Sequence, residues 1–196
     1  MNIPVNLLPI AFFVRNFITV EESELIAFLS NFQPVSYQKE QIIHGGQQVC
    51  KHLYFISQGI VREEEKFKNK PRIGWLTFEN ELLTDIYGFI RDVHNPNKKY
   101  YTACTDVEGF RLHKDVLLGY YQKNPLWERL GRLVAEHYVL RVAEQADFLI
   151  KLSAKERYED LLKRRPSILQ ELPLKQIASY LGITLPSLSR IRGLKN

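Results

Sequence analysis

The fold is decided by the stretch Pro173-Leu-Lys-Gln-Ile-Ala-Ser-Tyr-Leu-Gly-Ile-Thr-Leu-Pro-Ser-Leu-Ser-Arg-Ile-Arg192. Ile177, Ala178 and Leu181 have the spacing of a buried helix face, and the small Ala178 allows a second helix to approach closely. Gly182 ends this helix, because glycine adopts the left-handed conformation at the lowest cost. The stretch therefore begins with a short helix and a tight turn.

A second helix is predicted to begin at about Leu185. Thr184 is a favourable N-cap, and Pro186 falls in the first turn, where its missing N–H is not needed. Leu188 and Ile191 continue the apolar face at helical spacing. Two short helices joined in this way predict a helix-turn-helix, whose usual partner is double-stranded DNA. The alternative is an ordinary helical hairpin that packs on its own domain.

Residues at the start and on the outer face of the second helix are the candidates for contacts in a major groove. Arg190 is the first candidate for a base contact, because a guanidinium bridges guanine O6 and N7. Thr184 and Ser187 are candidates for phosphate contacts, which position a helix without reading sequence. The full set of candidate DNA-binding residues is Thr184, Leu185, Pro186, Ser187, Ser189, Arg190, Arg192 and Lys175.

Basic residues are concentrated in the same region. Positions 151–196 contain ten Lys and Arg against four Asp and Glu, whereas the rest of the chain contains 17 against 18. A basic excess beside a helix-turn-helix is the electrostatic footprint of a phosphate binder. We therefore expect the cluster Lys163-Arg-Arg165 to contact phosphates as well.

Length and composition are those of an ordinary globular protein, with 196 residues, 45% hydrophobic and 25% charged. Two cysteines, Cys50 and Cys104, are too few for a disulfide framework or a four-thiolate iron–sulfur cluster, and we expect both to be reduced. The apolar N-terminal stretch has no basic region before it, and no apolar run approaches the length of a membrane span. These features predict a cytoplasmic protein.

The residue patterns of a catalytic or metal site are not found in the sequence. There are no paired carboxylates, no nucleophile next to a base, no phosphate-cradling loop and no metal-ligand cluster at usable spacing. Five scattered histidines do not exclude a haem but are more typical of surface or core residues. We therefore expect no enzymatic activity, no metal and no cofactor.

Two regions precede the helical C-terminal part. A capping box at Thr19-Val-Glu-Glu22 predicts a short helix whose apolar face extends to Phe32, with Pro34 as its stop. From Val35 to about Leu112, short β-rich runs alternate with turn residues. This alternation predicts an antiparallel sandwich or barrel.

A long helix is predicted from about Leu126 to Ile150, and a second capping box, Ser153-Ala-Lys-Glu156, opens a helix that ends before Pro166. One face of the long helix is a candidate dimer seam, formed by Leu126, Leu130, Leu133, His137 and Leu140. A second stripe is a candidate contact with the β-region, formed by Val134, Tyr138 and Val142. In the alternative, the first stripe packs on the chain's own core. We favour the dimer, because a helix-turn-helix usually binds as a two-fold dimer.

This arrangement resembles the Crp/Fnr superfamily of bacterial transcription regulators. The resemblance covers nearly the whole chain and is carried by Gly45-Gly46, Leu53-Tyr-Phe-Ile-Ser-Gln-Gly-Ile-Val61, Thr102-Ala103, Ile177-Ala-Ser-Tyr-Leu-Gly-Ile-Thr184 and Ser187-Leu-Ser-Arg-Ile-Arg192. It implies an α+β fold with an antiparallel β-roll of the cyclic-nucleotide-binding, jelly-roll type in residues 1–124. It further implies a long dimerisation helix in residues 125–150 and a helix-turn-helix DNA-binding domain in residues 151–196.

The family resemblance also shows where this sequence departs from the members that bind cyclic AMP. Those members use a Gly-Glu pair, and later an Arg-Ser-Ala or Arg-Thr-Ala run whose arginine pairs with the cyclic phosphate. Here Thr84 and Asp85 stand at the first place, and Tyr101 and Thr102 stand at the second. A phenol cannot replace the bidentate, charge-assisted bond of a guanidinium, so binding of cyclic AMP in the usual way is not expected. These four residues remain candidates for a pocket that takes another ligand.

Two further features follow from the resemblance. The segment that differs from the family pattern is flanked by three basic residues, Arg91, Lys98 and Lys99, which could bind an anionic ligand. The loop that contains them has the composition of a solvated loop. Members commonly carry a β-hairpin wing after the recognition helix, and from the residues after Arg192 we expect no such wing here. We expect its phosphate contacts to shift to the helix-turn-helix and to Lys163-Arg-Arg165.

The sequence thus predicts a homodimeric, sequence-specific transcription regulator that binds double-stranded DNA. Its roll either senses an unidentified small-molecule effector or serves as a scaffold. The alternative is a small-molecule-binding or protein-interaction module with a vestigial helix-turn-helix. Absence of DNA affinity together with a saturable small-molecule response would distinguish that module.

Overall fold

The computed structural model describes residues 3–45, 48–67 and 70–193. Gly46, one of the glycines that carry the family resemblance, and Lys195, one of the basic residues counted above, lie outside the described residues. The helices are α1 (Leu8–Arg15), α2 (Glu22–Leu29), α3 (Ile86–Arg91), α4 (Lys114–Lys123), α5 (Pro125–Lys151), α6 (Ala154–Arg164), α7 (Ile168–Glu171), α8 (Leu174–Tyr180) and α9 (Leu185–Gly193). The strands are β1 (Gln33–Tyr37), β2 (Ile42–Gly45), β3 (His52–Gln58), β4 (Val61–Phe67), β5 (Lys70–Thr77), β6 (Glu81–Leu83), β7 (Tyr100–Ala103) and β8 (Val107–His113).

The strands form two antiparallel sheets, with the orders β1-β8-β3-β6 and β2-β7-β4-β5. The two sheets face each other across buried side chains that include Tyr54, Val61 and Tyr101. This confirms the predicted α+β fold with an antiparallel roll. Pro34, expected to stop a helix, instead lies within the edge strand β1, where a missing N–H is tolerated.

Helices α1, α2, α4 and the first half of α5 pack on the first sheet around one apolar core. Phe28 of α2 stacks on Trp127 of α5, with ring centroids 4.3 Å apart. The first capping box was wrong, because α2 begins after Glu21 and has no side-chain cap, whereas the second is confirmed at Ser153 and Glu156.

The long helix α5 has the predicted length, but the residues of the predicted dimer seam do not all face the same surroundings. Leu126, Leu130 and Leu133 pack against the chain's own core, as the alternative required. Tyr138 faces the roll as expected, and its hydroxyl accepts a hydrogen bond from the Leu82 backbone N–H at 2.7 Å. Val142 was expected to do the same but is exposed.

A different stripe of α5 is apolar and exposed. It consists of Ala135, Val139, Val142, Ala146 and Ile150, of which Val139 is 67% and Ile150 80% exposed. At 100° per residue these five positions fall within about 80° of the helix circumference, on the side away from Leu130 and Phe148. We call them the α5 stripe. None of the helices in residues 3–45, 48–67 and 70–193 is long and apolar enough to cross a membrane.

Helix α8 packs on β5 at the edge of the second sheet, and α6, α7 and α9 join the same buried cluster. Ile60, Ile73, Leu76 and Cys104 of the roll share one buried apolar cluster with side chains of these helices. Most buried residues of this cluster belong to the C-terminal helices, and the cluster continues into the roll. These helices fold onto the roll.

We expect Glu24 to stabilise the junction between α2 and α5. Its carboxylate accepts a hydrogen bond from the Trp127 indole N–H at 2.6 Å, and Trp127 is fully buried. Glu24→Ala leaves this donor without its partner and should lower the free energy of unfolding in urea by about 1–3 kcal/mol. In the control, Glu22→Ala, the exposed pair with Arg15 is lost and the change should be below about 1 kcal/mol. Equal changes in the two variants would contradict this role.

Candidate nucleic-acid interface

The helix-turn-helix is formed by α8, a four-residue turn and α9, as predicted. Gly182 has a φ of +67°, which confirms the left-handed end of the first helix. The Thr184 hydroxyl oxygen accepts a hydrogen bond from the Ser187 backbone N–H at 3.3 Å, so Thr184 is the N-cap of α9. The local sequence thus sets both the exit from α8 and the start of α9.

The crossing of the two helices is built from the predicted apolar residues. Ile177, Ala178, Leu181 and Leu188 are all buried, and Ala178 lies where α8 and α9 meet. Ile183 in the turn and Ile191 on α9 are half-buried against the same cluster. The hairpin has the close approach that a helix-turn-helix requires.

The opposite face of α9 is open to solvent. Leu185, Pro186, Ser189, Arg190 and Arg192 are exposed, whereas Ser187 is half-buried. Lys175 is exposed on α8.

The two predicted phosphate-binding hydroxyls are bonded to each other. The Thr184 and Ser187 hydroxyl oxygens lie 2.9 Å apart, and Arg190 Nη2 donates to Ser187 Oγ at 3.5 Å. A phosphate contact by Ser187 would therefore have to share a hydroxyl that the helix cap already uses.

The basic cluster at residues 163–165 differs from the expectation. The Arg165 guanidinium donates to Glu79 and to Glu171 at 2.6–3.0 Å, so it is not free to contact a phosphate. Arg164 pairs with Asp160 and lies over the ring of Phe148. Short-range sequence patterns could not show this, because Glu79 lies 86 residues from Arg165.

Two residues of α8 that the sequence did not single out attach the helix-turn-helix to the rest of the chain. Ser179 Oγ accepts a hydrogen bond from the Ile73 backbone N–H at 3.0 Å. The Tyr180 hydroxyl donates to Gln145 Oε1 of α5 at 3.2 Å. The roll and the long helix therefore both hold the first helix of the motif.

The four candidate pocket residues in the roll do not share one cavity. Asp85 and Tyr101 are 1% and 2% exposed and both lie beside His44. Thr84 donates its hydroxyl to the His52 carbonyl oxygen at 3.0 Å. Thr102 follows Tyr101 in β7 and therefore points to the opposite face of the sheet, where it lies across from Arg62.

The interior of the roll contains a buried polar pair. His44 Nε2 and Asp85 Oδ2 are 3.9 Å apart, and neither atom has a hydrogen-bond partner among the described residues. The other Asp85 oxygen accepts a hydrogen bond from the Asn95 amide at 2.7 Å. Burial lowers the pKa of His44 below its ordinary value, against the opposing effect of Asp85.

Comparisons with known proteins agree with this fold. No protein-family model matches the chain, and no curated protein matches its sequence. The structure is similar to that of FixK2 from Bradyrhizobium japonicum, with a TM-score of 0.71 and 18% identity over 83% of each chain.

Two further solved structures extend the likeness to most of the chain. The Thermus thermophilus catabolite activator protein aligns with a TM-score of 0.55 and 19% identity, over 91% of this chain and 84% of that protein. A Crp/Fnr-family protein from Eubacterium rectale, described as a transcriptional regulator, aligns with a TM-score of 0.71 and 15% identity, over 92% and 88%. The chain therefore has the fold of the Crp/Fnr regulators.

We expect acidification to destabilise the protein through His44. Because its pKa is lowered in the native state, the unfolded chain takes up a proton that the native chain does not when the pH falls below about 6.5. This part of the stability is present above that pH and is lost below it. His44→Gln should therefore lose less stability than the unsubstituted protein between about pH 7.5 and 5.5 in urea denaturation. An identical loss in both proteins would show that His44 does not carry this dependence.

Proposed function

We propose that this chain is a sequence-specific, DNA-binding transcription regulator of the Crp/Fnr type that acts as a homodimer. The observation that carries the proposal is the outer face of α9. Its inner residue Leu188 is buried, while Arg190 lies on the opposite side of the helix and Arg192 is exposed in its last turn. A helix held in this way offers its polar face to a major groove.

The candidate residues take two roles in this proposal. Arg190 contacts a base, since its guanidinium reaches solvent from the middle of α9 and can bridge the two acceptors of guanine. Arg192 and Lys175 contact phosphates, together with the exposed start of α9 at Thr184 and Leu185. The remaining members of the set, Pro186, Ser187 and Ser189, border the groove.

Dimerisation is proposed to use the α5 stripe. Its side chains are small or β-branched, and they recur at steps of three and four over 15 residues, or about 22 Å of helix. Arg132 and Glu136 lie beside the stripe and pair with each other at 2.6 Å. A two-fold axis along this seam would give each dimer two recognition helices, as palindromic half-sites require.

The roll is proposed to lack the usual cyclic AMP site. Tyr101 is buried where the resemblance would put an arginine, and burial raises its pKa above the ordinary value. A neutral buried phenol does not neutralise a cyclic phosphate. The roll then either senses another small molecule or is a scaffold. The proposed domains are a roll in residues 1–124, a dimerisation helix in residues 125–150 and a DNA-binding part in residues 151–196. The proposed regulator has no enzymatic activity and acts in the cytoplasm.

We expect Arg190 to determine base preference. Selection from a random duplex pool at about physiological salt should enrich a two-fold-symmetric site. Arg190→Ala should then weaken binding to that site by about 1–3 kcal/mol and relax the preference at one position in each half-site. The control is Lys175→Ala, which should weaken selected and unselected duplexes alike and reduce the dependence of affinity on salt.

Two results would count against this assignment. An equal loss on all sequences for Arg190→Ala would remove Arg190 from the base contacts. No enrichment from the random pool, together with a saturable response to a small molecule, would favour the interaction module over a DNA-binding regulator.

We expect the α5 stripe to control the oligomeric state. Val139→Glu places a charge in the middle of the seam and should raise the dimer dissociation constant roughly tenfold or more. Leu140→Glu is a matched control, because Leu140 is exposed to a similar degree but points about 100° away from Val139. Sedimentation velocity measures both. Dissociation by Leu140→Glu and not by Val139→Glu would contradict the α5 stripe as the dimer interface.

A further inference from the structure

Arg165 pairs with two carboxylates, one on the roll and the other next to the helix-turn-helix. Its guanidinium donates to both oxygens of Glu79, at 2.7 and 3.0 Å, and to both oxygens of Glu171, at 2.6 and 2.8 Å. Glu79 lies in the loop between β5 and β6, whereas Glu171 ends α7 and is separated from α8 by two residues. One side chain therefore ties the roll to the entrance of the helix-turn-helix.

The bridge is fixed in direction as well as in distance. A guanidinium is a planar fork, and two bidentate partners define its plane. The ring of Phe78 covers it, with the guanidinium carbon 4.7 Å from the ring centroid. The Arg165 side chain is only 19% exposed, and its hydrogen bonds to Glu79 hold the pKa of that carboxyl below the ordinary value.

The remaining attachments of the helix-turn-helix lie on other sides of it. Ser179 of α8 meets the edge strand β5 at Ile73, and Tyr180 meets α5 at Gln145. Gln176 of α8 also donates to Glu40, in the loop between β1 and β2, at 3.4 Å. Together with Arg165 these contacts attach the helix-turn-helix to several different parts of the chain. Several separate attachments fix an orientation, whereas two would still allow rotation about the line that joins them.

The bridge leaves the DNA-facing side of the motif open. Arg190 and Arg192 remain exposed on α9 while α8 is attached to the roll. The bridge is therefore compatible with DNA binding and does not cover the recognition helix.

We infer that Arg165 is a positioning residue, which fixes the orientation of α9 relative to the roll and so sets the half-site spacing that the dimer accepts. This inference rests on the proposed DNA-binding function. Each added base pair turns one half-site by about 35° relative to the other, so only a fixed pair of recognition helices discriminates between spacings. Arg165 thus acts in specificity without contacting DNA.

The test uses the full chain and compares two neutralised carboxylates. Glu79→Gln breaks the bridge between the roll and Arg165 but leaves the pair with Glu171. Asp160→Asn is the matched control, because it breaks the neighbouring ion pair with Arg164 and leaves both carboxylate partners of Arg165 in place. Affinity is measured by fluorescence anisotropy on the selected two-fold site, on versions lengthened or shortened by one and two base pairs, and on a single half-site.

We expect Glu79→Gln to bind the single half-site within about twofold of the unsubstituted protein. On the two-fold site with the selected spacing its affinity should fall about fivefold, and the differences between spacings should shrink. Asp160→Asn should keep the spacing profile. Glu79→Asp, which keeps the charge but withdraws it by one methylene, should give an intermediate profile and serves as the second variant if Glu79→Gln lowers the melting temperature.

The outcomes separate the inference from the proposed function. An unchanged spacing profile in Glu79→Gln, or an equal loss on the single half-site and on the two-fold site, would overturn the role of Arg165. Failure of the unsubstituted protein to prefer any duplex would instead overturn the proposed function itself.

Discussion

The apolar outer face of the sheet β2-β7-β4-β5 is the constraint on which the rest of the structure depends. Ile60, Ile73, Leu76 and Cys104 would all contact water if nothing covered this face. Covering apolar surface is the largest favourable contribution to folding, at about 25 cal/mol per Å². Helix α8 covers this face at β5, and α6, α7 and α9 complete the same buried cluster. The helix-turn-helix and the roll are therefore packed around one shared core.

Polar contacts at the border of this apolar face give the packing its direction. Burial alone is not directional, so it does not select one rotation of the helices on the sheet. Arg165 bridges the loop after β5 and the end of α7, and Ser179 accepts the outward N–H of the edge strand. Arg62 pairs with Glu40, whose carboxylate also accepts from Gln176 of α8 at 3.4 Å. In this arrangement the position of the recognition helix follows from charges and hydrogen bonds that lie far from it in sequence.

Local patterns in the sequence were sufficient for the elements and for the motif. The helix-turn-helix is determined by Gly182, by Thr184 and by the spacing of Ile177, Ala178 and Leu188. Each of these residues makes its contacts with neighbours that are close in the sequence. The predicted dimer seam of α5 was wrong in part, because it depends on contacts that are distant in the sequence. Leu126 to Leu133 and the α5 stripe are both apolar and helical in spacing. Only the contacts with α2 and α4 show that Leu126 to Leu133 are already covered by the chain itself. The same limit applies to Arg165, whose basic neighbours suggested a phosphate contact, and to Thr102, which the alternation of β7 separates from Tyr101.

Native-state hydrogen exchange tests most directly whether the helix-turn-helix and the roll share one core. The Leu181 amide donates to the Ile177 carbonyl within the motif, and the Cys104 amide donates to the Ile60 carbonyl in the covered sheet. If the core is shared, both amides should exchange through the same opening, with free energies that agree within about 1 kcal/mol and fall together as denaturant is added. An opening free energy for Leu181 that is several kcal/mol lower, and insensitive to denaturant, would show that the motif detaches on its own and would contradict this account.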